Sequence, residues 1–180
     1  MSIYRRFMAW LGAEGTMSSI VQGSVAPNFS LKDLNGKQFV LSNALRRGPV
    51  VVAFYKRGCP VCQFTFPFLE RLYKKYGAGN VGFVGVSQND AKGAQEFAKE
   101  YGITFPIVID EAGYPASNAY GLTNVPTYFL IDEDGTVVVA SVGFGKAELE
   151  AIADQLADRQ QVPHAPVFRA DESVPAHRPG

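Results

Sequence analysis

Six consecutive apolar residues, Val50, Val51, Val52, Ala53, Phe54 and Tyr55, stand just before the only two cysteines of the chain. A run this continuous predicts a strand covered on both faces, the middle of a sheet flanked by helices. Beyond the cysteines the period changes. Phe64, Phe68, Leu69 and Leu72 share one side of a helix, with Gln63, Glu70, Arg71 and Lys74 mostly on the other. Gly77-Ala78-Gly79-Asn80 breaks that pattern, and a second strand is predicted over 81–87. A helix over 91–101 follows, Phe97 and Ala98 inward, then a short strand over 105–110 and a short helix over 114–120 that stops at Gly121. The order strand, helix, strand, helix implies that the first strands run parallel. Asp134-Gly135 joins two further strands, 127–132 and 136–142, as a hairpin. Leu149, Ile152, Ala153 and Leu156 make the apolar stripe of a last helix over 146–158.

The flanks read differently. Phe29 and Leu31, a turn at Asn35-Gly36, then Phe39 and Leu41 predict an early hairpin, with Ser42 as the cap of a short helical turn. In the first sixteen residues Ile3, Tyr4, Phe7, Met8 and Leu11 share a helical face, but the apolar run is too short for an export signal. A short helix packed on the domain or on a second subunit is the reading there, ahead of a membrane-surface anchor. From Gln161 the chain carries Pro163, Pro166, Pro175 and Pro179, and a mobile tail is expected. The organisation is therefore an extension over 1–23, one domain over 24–160 and a flexible tail over 161–180.

Composition narrows this little further. The chain has 180 residues, and its 17 basic and 17 acidic side chains cancel, which argues against a nucleic-acid surface. No apolar run approaches the length of a membrane span. Two cysteines make no disulfide framework, so their spacing carries the chemistry.

Cys59-Pro60-Val61-Cys62 sits where the buried strand hands over to a helix. The start of a helix has unpaired N–H groups and a partial positive charge, which push a thiol toward thiolate. Pro60 suits the first helical position, and Lys56 and Arg57 are near in sequence. Cys59 is thus read as the attacking sulfur and Cys62, three residues on, as the resolving one. Three other readings stand beside this. Zinc would need further ligands, and His164 and His177 both lie in the tail. Inert buried thiols are another. A purely structural bridge is the third, though so short a loop gains little from cross-linking.

Strand, Cys-Pro-Val-Cys opening a helix, then Val125-Pro126-Thr127 leading into a terminal hairpin and helix: this order resembles the thioredoxin fold over about residues 24–158. The hairpin at the start and the insert between Asp90 and Asp110 are similar to the TlpA-like branch and its AhpC/TSA (redoxin) relatives. The resemblance implies a central mixed sheet flanked by helices, an α/β protein with an N-terminal β-hairpin and a helix-strand insert. It implies that Pro67 lies at a kink in the active-site helix and that Pro126 is a cis-proline facing the disulfide. Val125, Pro126 and Thr127, with Pro60 and Val61, would wall the site and hold an extended substrate chain. Thioredoxins place an acidic proton acceptor where Ala53 stands, and a tryptophan where Gly58 stands. TlpA-like proteins carry a glutamate at about the place of Asp90, which makes Asp90 a candidate proton acceptor as well as a candidate helix cap.

The expected activity is thiol–disulfide exchange, with a protein or small-molecule disulfide as substrate and a cellular thiol as reductant. The redox group is the Cys59–Cys62 pair itself, with no organic cofactor and no metal. The alternative is a peroxiredoxin-like peroxidase with Cys62 peroxidatic. That family places an arginine from a later strand on the peroxide, and between Arg71 and Arg159 this chain has none. A redox-switched binding adaptor is the third reading. A cytoplasmic location is expected, with a periplasmic one as the alternative.

Overall fold

Every residue of the strand Val50–Tyr55 is buried, and its side chains divide between two cores as a two-residue period demands. Val51, Ala53 and Tyr55 join Leu69, Leu72, Phe97, Ile152 and Leu156 on one face. Val50, Val52 and Phe54 join Phe29, Leu41, Leu45, Ala116 and Tyr120 on the other. The computed structural model describes residues 20–111 and 113–180. In chain order they form β1 (Ser30–Lys32), β2 (Gln38–Val40), α1 (Leu41–Leu45), β3 (Val50–Tyr55), α2 (Pro60–Tyr76), β4 (Gly82–Ser87) and α3 (Ala91–Tyr101). Then come β5 (Ile107–Ile109), α4 (Pro115–Ala119), β6 (Thr127–Ile131), β7 (Val137–Val142), β8 (Phe144–Gly145), α5 (Lys146–Gln160) and β9 (His177–Arg178). The helix expected within 1–16 lies outside the described residues.

The main sheet has the order β5-β4-β3-β6-β7. β4 runs parallel to β3 and β5 parallel to β4, whereas β6 and β7 are antiparallel to their neighbours. α2, α3 and α5 cover one face; α1, α4 and the β1–β2 hairpin cover the other. Among the described residues no helix is long and apolar enough to cross a membrane.

Local chemistry explains where elements start and where the structure departs from expectation. In the first hairpin Asp33 Oδ1 accepts the N–H groups of Asn35 and Lys37 at 2.8 and 2.9 Å, so the turn is organised from Asp33 as well as from Gly36. Ser42 is no cap: α1 begins after Val40, and the Ser42 N–H donates to Asn28 Oδ1 at 2.9 Å, a partner in the segment before β1. Glu70, expected on the outer side of α2, is 5% exposed. Its carboxyl group accepts the N–H of Thr104 at 2.9 Å and the Thr104 hydroxyl, anchoring the loop that enters β5. A buried carboxyl group is tolerated where such donors replace water.

Part of the segment after residue 160 packs against the domain. Val167 and Phe168 are each 7% exposed, the Phe168 ring lying 5.0 Å from Phe68 and 6.1 Å from Phe144 between centroids. Arg71, on α2, donates to Glu172 Oε2 at 2.7 Å and to the Val167 carbonyl at 3.2 Å. That pair holds the Glu172 carboxyl down at about 2. His164 sits between Asp158 and Asp154, and its imidazole is raised above the ordinary value, first by the Asp158 contact. Proline denies this segment long regular elements but not apolar burial, and one buried Phe contributes about 1.5–3 kcal/mol.

Candidate redox site

β3 delivers the chain to the site and α2 carries it away. Cys59 is the N-cap of α2 with extended backbone, φ −90° and ψ 113°, and Pro60 takes the first helical position, where no N–H is missed. The Cys62 N–H donates to Cys59 Sγ at 3.2 Å, so one of the orphan donors of the helix start points at the first sulfur. The Cys59 thiol in turn donates to the Val125 carbonyl at 3.2 Å. Both cysteines are free, Cys59 half-buried and Cys62 0% exposed. Burial pushes the Cys62 thiol far up, and its contact with Cys59 adds to the shift.

The loop between strand and motif is held by its own contacts. Arg57 pairs with Glu96 on α3, and its N–H donates to Asn89 Oδ1 at 2.7 Å. Gln63 Nε2 donates to the Arg57 carbonyl at 2.9 Å. Arg57 therefore serves the loop's conformation through Glu96. Pro67 lies within α2, and the Thr65 hydroxyl donates to the Val61 carbonyl at 2.7 Å.

On the facing side the Val125–Pro126 peptide bond is cis. Gly143 N–H donates to the Pro126 carbonyl at 2.7 Å, and the Thr127 hydroxyl donates to the Asn124 carbonyl at 2.7 Å. Thus Cys59, Cys62 and Val125 meet through hydrogen bonds, Pro60 and Val61 continue α2 beside them, and Thr127 shapes the loop from behind. Asp90 is the N-cap of α3, its Oδ1 accepting the Gly93 N–H at 2.7 Å. Among the described residues no group of three His, Cys, Asp or Glu side chains forms a cluster able to hold a metal ion.

Two features escaped sequence reasoning. Tyr55, the last residue of the apolar strand, is fully buried near Ser87 and Cys62, and among the described residues no group lies in good hydrogen-bond geometry to its hydroxyl. A polar tip ending a six-residue apolar run was the available signal. The other is Arg178, whose guanidinium lies 4.0 Å from the centre of the Phe64 ring on α2. Only the fold brings residue 178 to the active-site helix, so nothing local announces it.

The Redoxin family profile matches residues 21–156, which contain both cysteines and the cis-proline. The chain belongs to the redoxin family. Over 126 residues this redoxin is 38% identical to the thiol-disulfide oxidoreductase ResA of Bacillus subtilis, covering 69% of each chain. It also resembles a Chlorobium tepidum structure provisionally assigned as a thiol:disulfide interchange protein DsbE. That match has a TM-score of 0.68 and 30% identity over 78% of this chain and 98% of that one. The peroxidoxin BcpB of Mycobacterium tuberculosis is similar as well, with a TM-score of 0.63 and 25% identity over 80% of this chain and 99% of that one.

Proposed function

We propose that this redoxin-family thiol–disulfide oxidoreductase works in the reducing direction, with Cys59 as nucleophile and Cys62 as resolving thiol. The observation that carries the assignment is the half-buried Cys59 sulfur at the mouth of α2, with Cys62 fully buried behind it. The Cys59 thiolate attacks one sulfur of a substrate disulfide, forming an S–S bond to it while the other substrate sulfur leaves and takes up a proton. Cys62 then loses its proton and attacks Cys59, closing the Cys59–Cys62 disulfide and releasing the second substrate thiol. Two electrons from a cellular dithiol restore the pair. Val125, Pro126 and Thr127, with Pro60 and Val61, form the wall along which a substrate chain lies, by strand addition to the backbone.

Because burial holds the Cys62 thiol far above its ordinary value, that group is a thiol at neutral pH, and resolution must carry a proton away. Turnover limited by this step rises with pH. We assign the proton to Asp90 acting through water. Asp90→Asn preserves the cap, since Asn caps as well as Asp, and is expected to slow resolution without altering the melting temperature. An unchanged resolution rate would remove Asp90 from the mechanism.

Dithiothreitol-driven reduction of insulin tests the assignment against the peroxidase alternative, which the likeness to a peroxidoxin keeps in view. Insulin disulfides are expected to be reduced catalytically and hydrogen peroxide to be consumed slowly, because the cysteine that alternative makes peroxidatic, Cys62, is sealed from solvent. Peroxide consumption at a rate matching disulfide exchange would reverse the ranking. A cytoplasmic location, where thiols are kept reduced, is proposed with it; recovery of the protein outside the cytoplasm on cell fractionation would overturn it.

A further inference from the structure

The sulfur that must ionise during resolution sits in the driest part of the site. Cys62 lies one helical turn before Phe66, and the two share the face of α2 that packs on β3. Phe66 and Phe97 hold the Tyr55 ring beside that face, at 4.5 and 4.4 Å between centroids. Ser87 pairs with Tyr55 across the parallel register of β3 and β4 and is fully buried, its Oγ accepting the Asn89 N–H at 3.1 Å. Burial pushes the Tyr55 hydroxyl far up; the two side chains that bear on it are Ser87 and Cys62. Cys62 in turn feels Cys59 and the Lys56 backbone. Toward this pair β3 offers Ala53 and α3 offers Ala94 and Phe97, while Glu96 of α3 turns outward to Arg57. A buried hydroxyl without a well-placed partner is a standing cost to folding. Tyr76 and Tyr120 carry the same cost, but of the three only Tyr55 adjoins a group whose charge changes in turnover.

We propose that the Tyr55 hydroxyl is the dipole that stabilises the Cys62 thiolate during resolution, turning its O–H toward the sulfur as charge appears there, with the Ser87 hydroxyl behind it. The inference rests on the exchange reading above. Rotation of the hydroxyl alone is enough, so the ring stays clamped between Phe66 and Phe97. The Cys62 proton leaves through water to Asp90, and Tyr55 keeps its own proton throughout. The thiolate then attacks the Cys59 sulfur, the bond from Cys59 to the substrate breaks, and the departing substrate sulfur takes the electron pair and a proton. In a space closed to water, one oriented O–H acts on the new charge more strongly than it would at the surface.

The test mixes the reduced full chain with excess dithiobis-nitrobenzoate in a stopped-flow instrument. Coloured thiolate is released twice, once when Cys59 attacks the reagent and again when Cys62 closes the internal disulfide. Tyr55→Phe is expected to leave the first release within about twofold of wild type and to slow the second about three- to tenfold, the effect of losing one hydrogen-bonding dipole. The rate–pH line of the second release should move to higher pH by about half a unit to one unit, the same factor expressed as an ionisation. The melting temperature should stay or rise, since no well-made bond is lost. Ser87→Ala should slow the second release by a smaller factor and spare the first. Tyr120→Phe deletes the same atom from the other core and should change neither. A second release unchanged in Tyr55→Phe overturns the inference and leaves the exchange reading standing. Equal slowing of both releases overturns it too, because a displaced ring would disturb Cys59 as much. Should Tyr55→Phe fail to fold, an unchanged second release in Ser87→Ala overturns it alone. A wild-type chain that gives only one release would sink the exchange reading and this inference together.

Discussion

Replacing Cys59 by serine is expected to lower disulfide turnover on the order of a thousandfold or more, a loss typical of removing a nucleophile. A serine hydroxyl is not ionised at neutral pH, and the Cys62 N–H that now faces a sulfur at 3.2 Å cannot make it so. Cys62→Ser should behave differently. Cys59 remains half-buried and able to attack, but nothing displaces the product, so one equivalent of mixed disulfide accumulates per chain. Intact mass and non-reducing gels report it. The asymmetry follows from burial: an external disulfide reaches the outer sulfur, while Cys62 at 0% exposed reaches only Cys59. Wild-type turnover by both variants would remove the two-sulfur mechanism altogether.

The second large effect is on stability and comes from a residue with no contact to either sulfur. Asp110, fully buried at the end of β5, accepts the N–H groups of Ala116 and Ser117 at 2.9 and 2.8 Å and the Ser117 hydroxyl at 2.7 Å. Asp110→Ala leaves three donors unmet in the interior, which is expected to cost about 3–4 kcal/mol. At about 2–4 °C per kcal/mol for a chain of this size, the melting temperature falls by roughly 6–16 °C. Urea unfolding and calorimetry measure both. Asp110→Asn should fall between, since its oxygen can accept while its amide meets donors. Because α4 leads through Tyr120 and Asn124 into the cis-proline loop, the Ala variant should also raise KM for protein disulfides. A melting temperature within about a degree or two of wild type would show that water replaces the carboxyl group and that α4 does not depend on it.

The sulfur chemistry was legible because it is local. Cys59, Pro60 and Cys62 belong to one helical turn, and the strand before them declares itself by its unbroken apolar run. Asp90 could be read in two ways from sequence, and the Gly93 N–H at 2.7 Å shows the capping role in place. Glu70 and Ser42 were misplaced for one reason. Periodicity says which face of a helix a residue occupies, but not that a loop 34 residues away or an asparagine in an earlier loop will lie against it.

The tail makes the same point more strongly. Its prolines led to the expectation of a mobile tail, yet Val167, Phe168 and Glu172 find partners on α2 and β8 that exist only after the domain has closed. The amino-acid order by itself determined the alternation of strands and helices and the placing of two thiols in one turn, all set by dihedral preference and period within a few residues. Tertiary structure alone decided that a carbonyl 66 residues beyond Cys59 would accept its thiol proton, and that Arg178 would rest on Phe64. Those contacts are the surplus left after long loops have closed, and their sign depends on every element between them being in place.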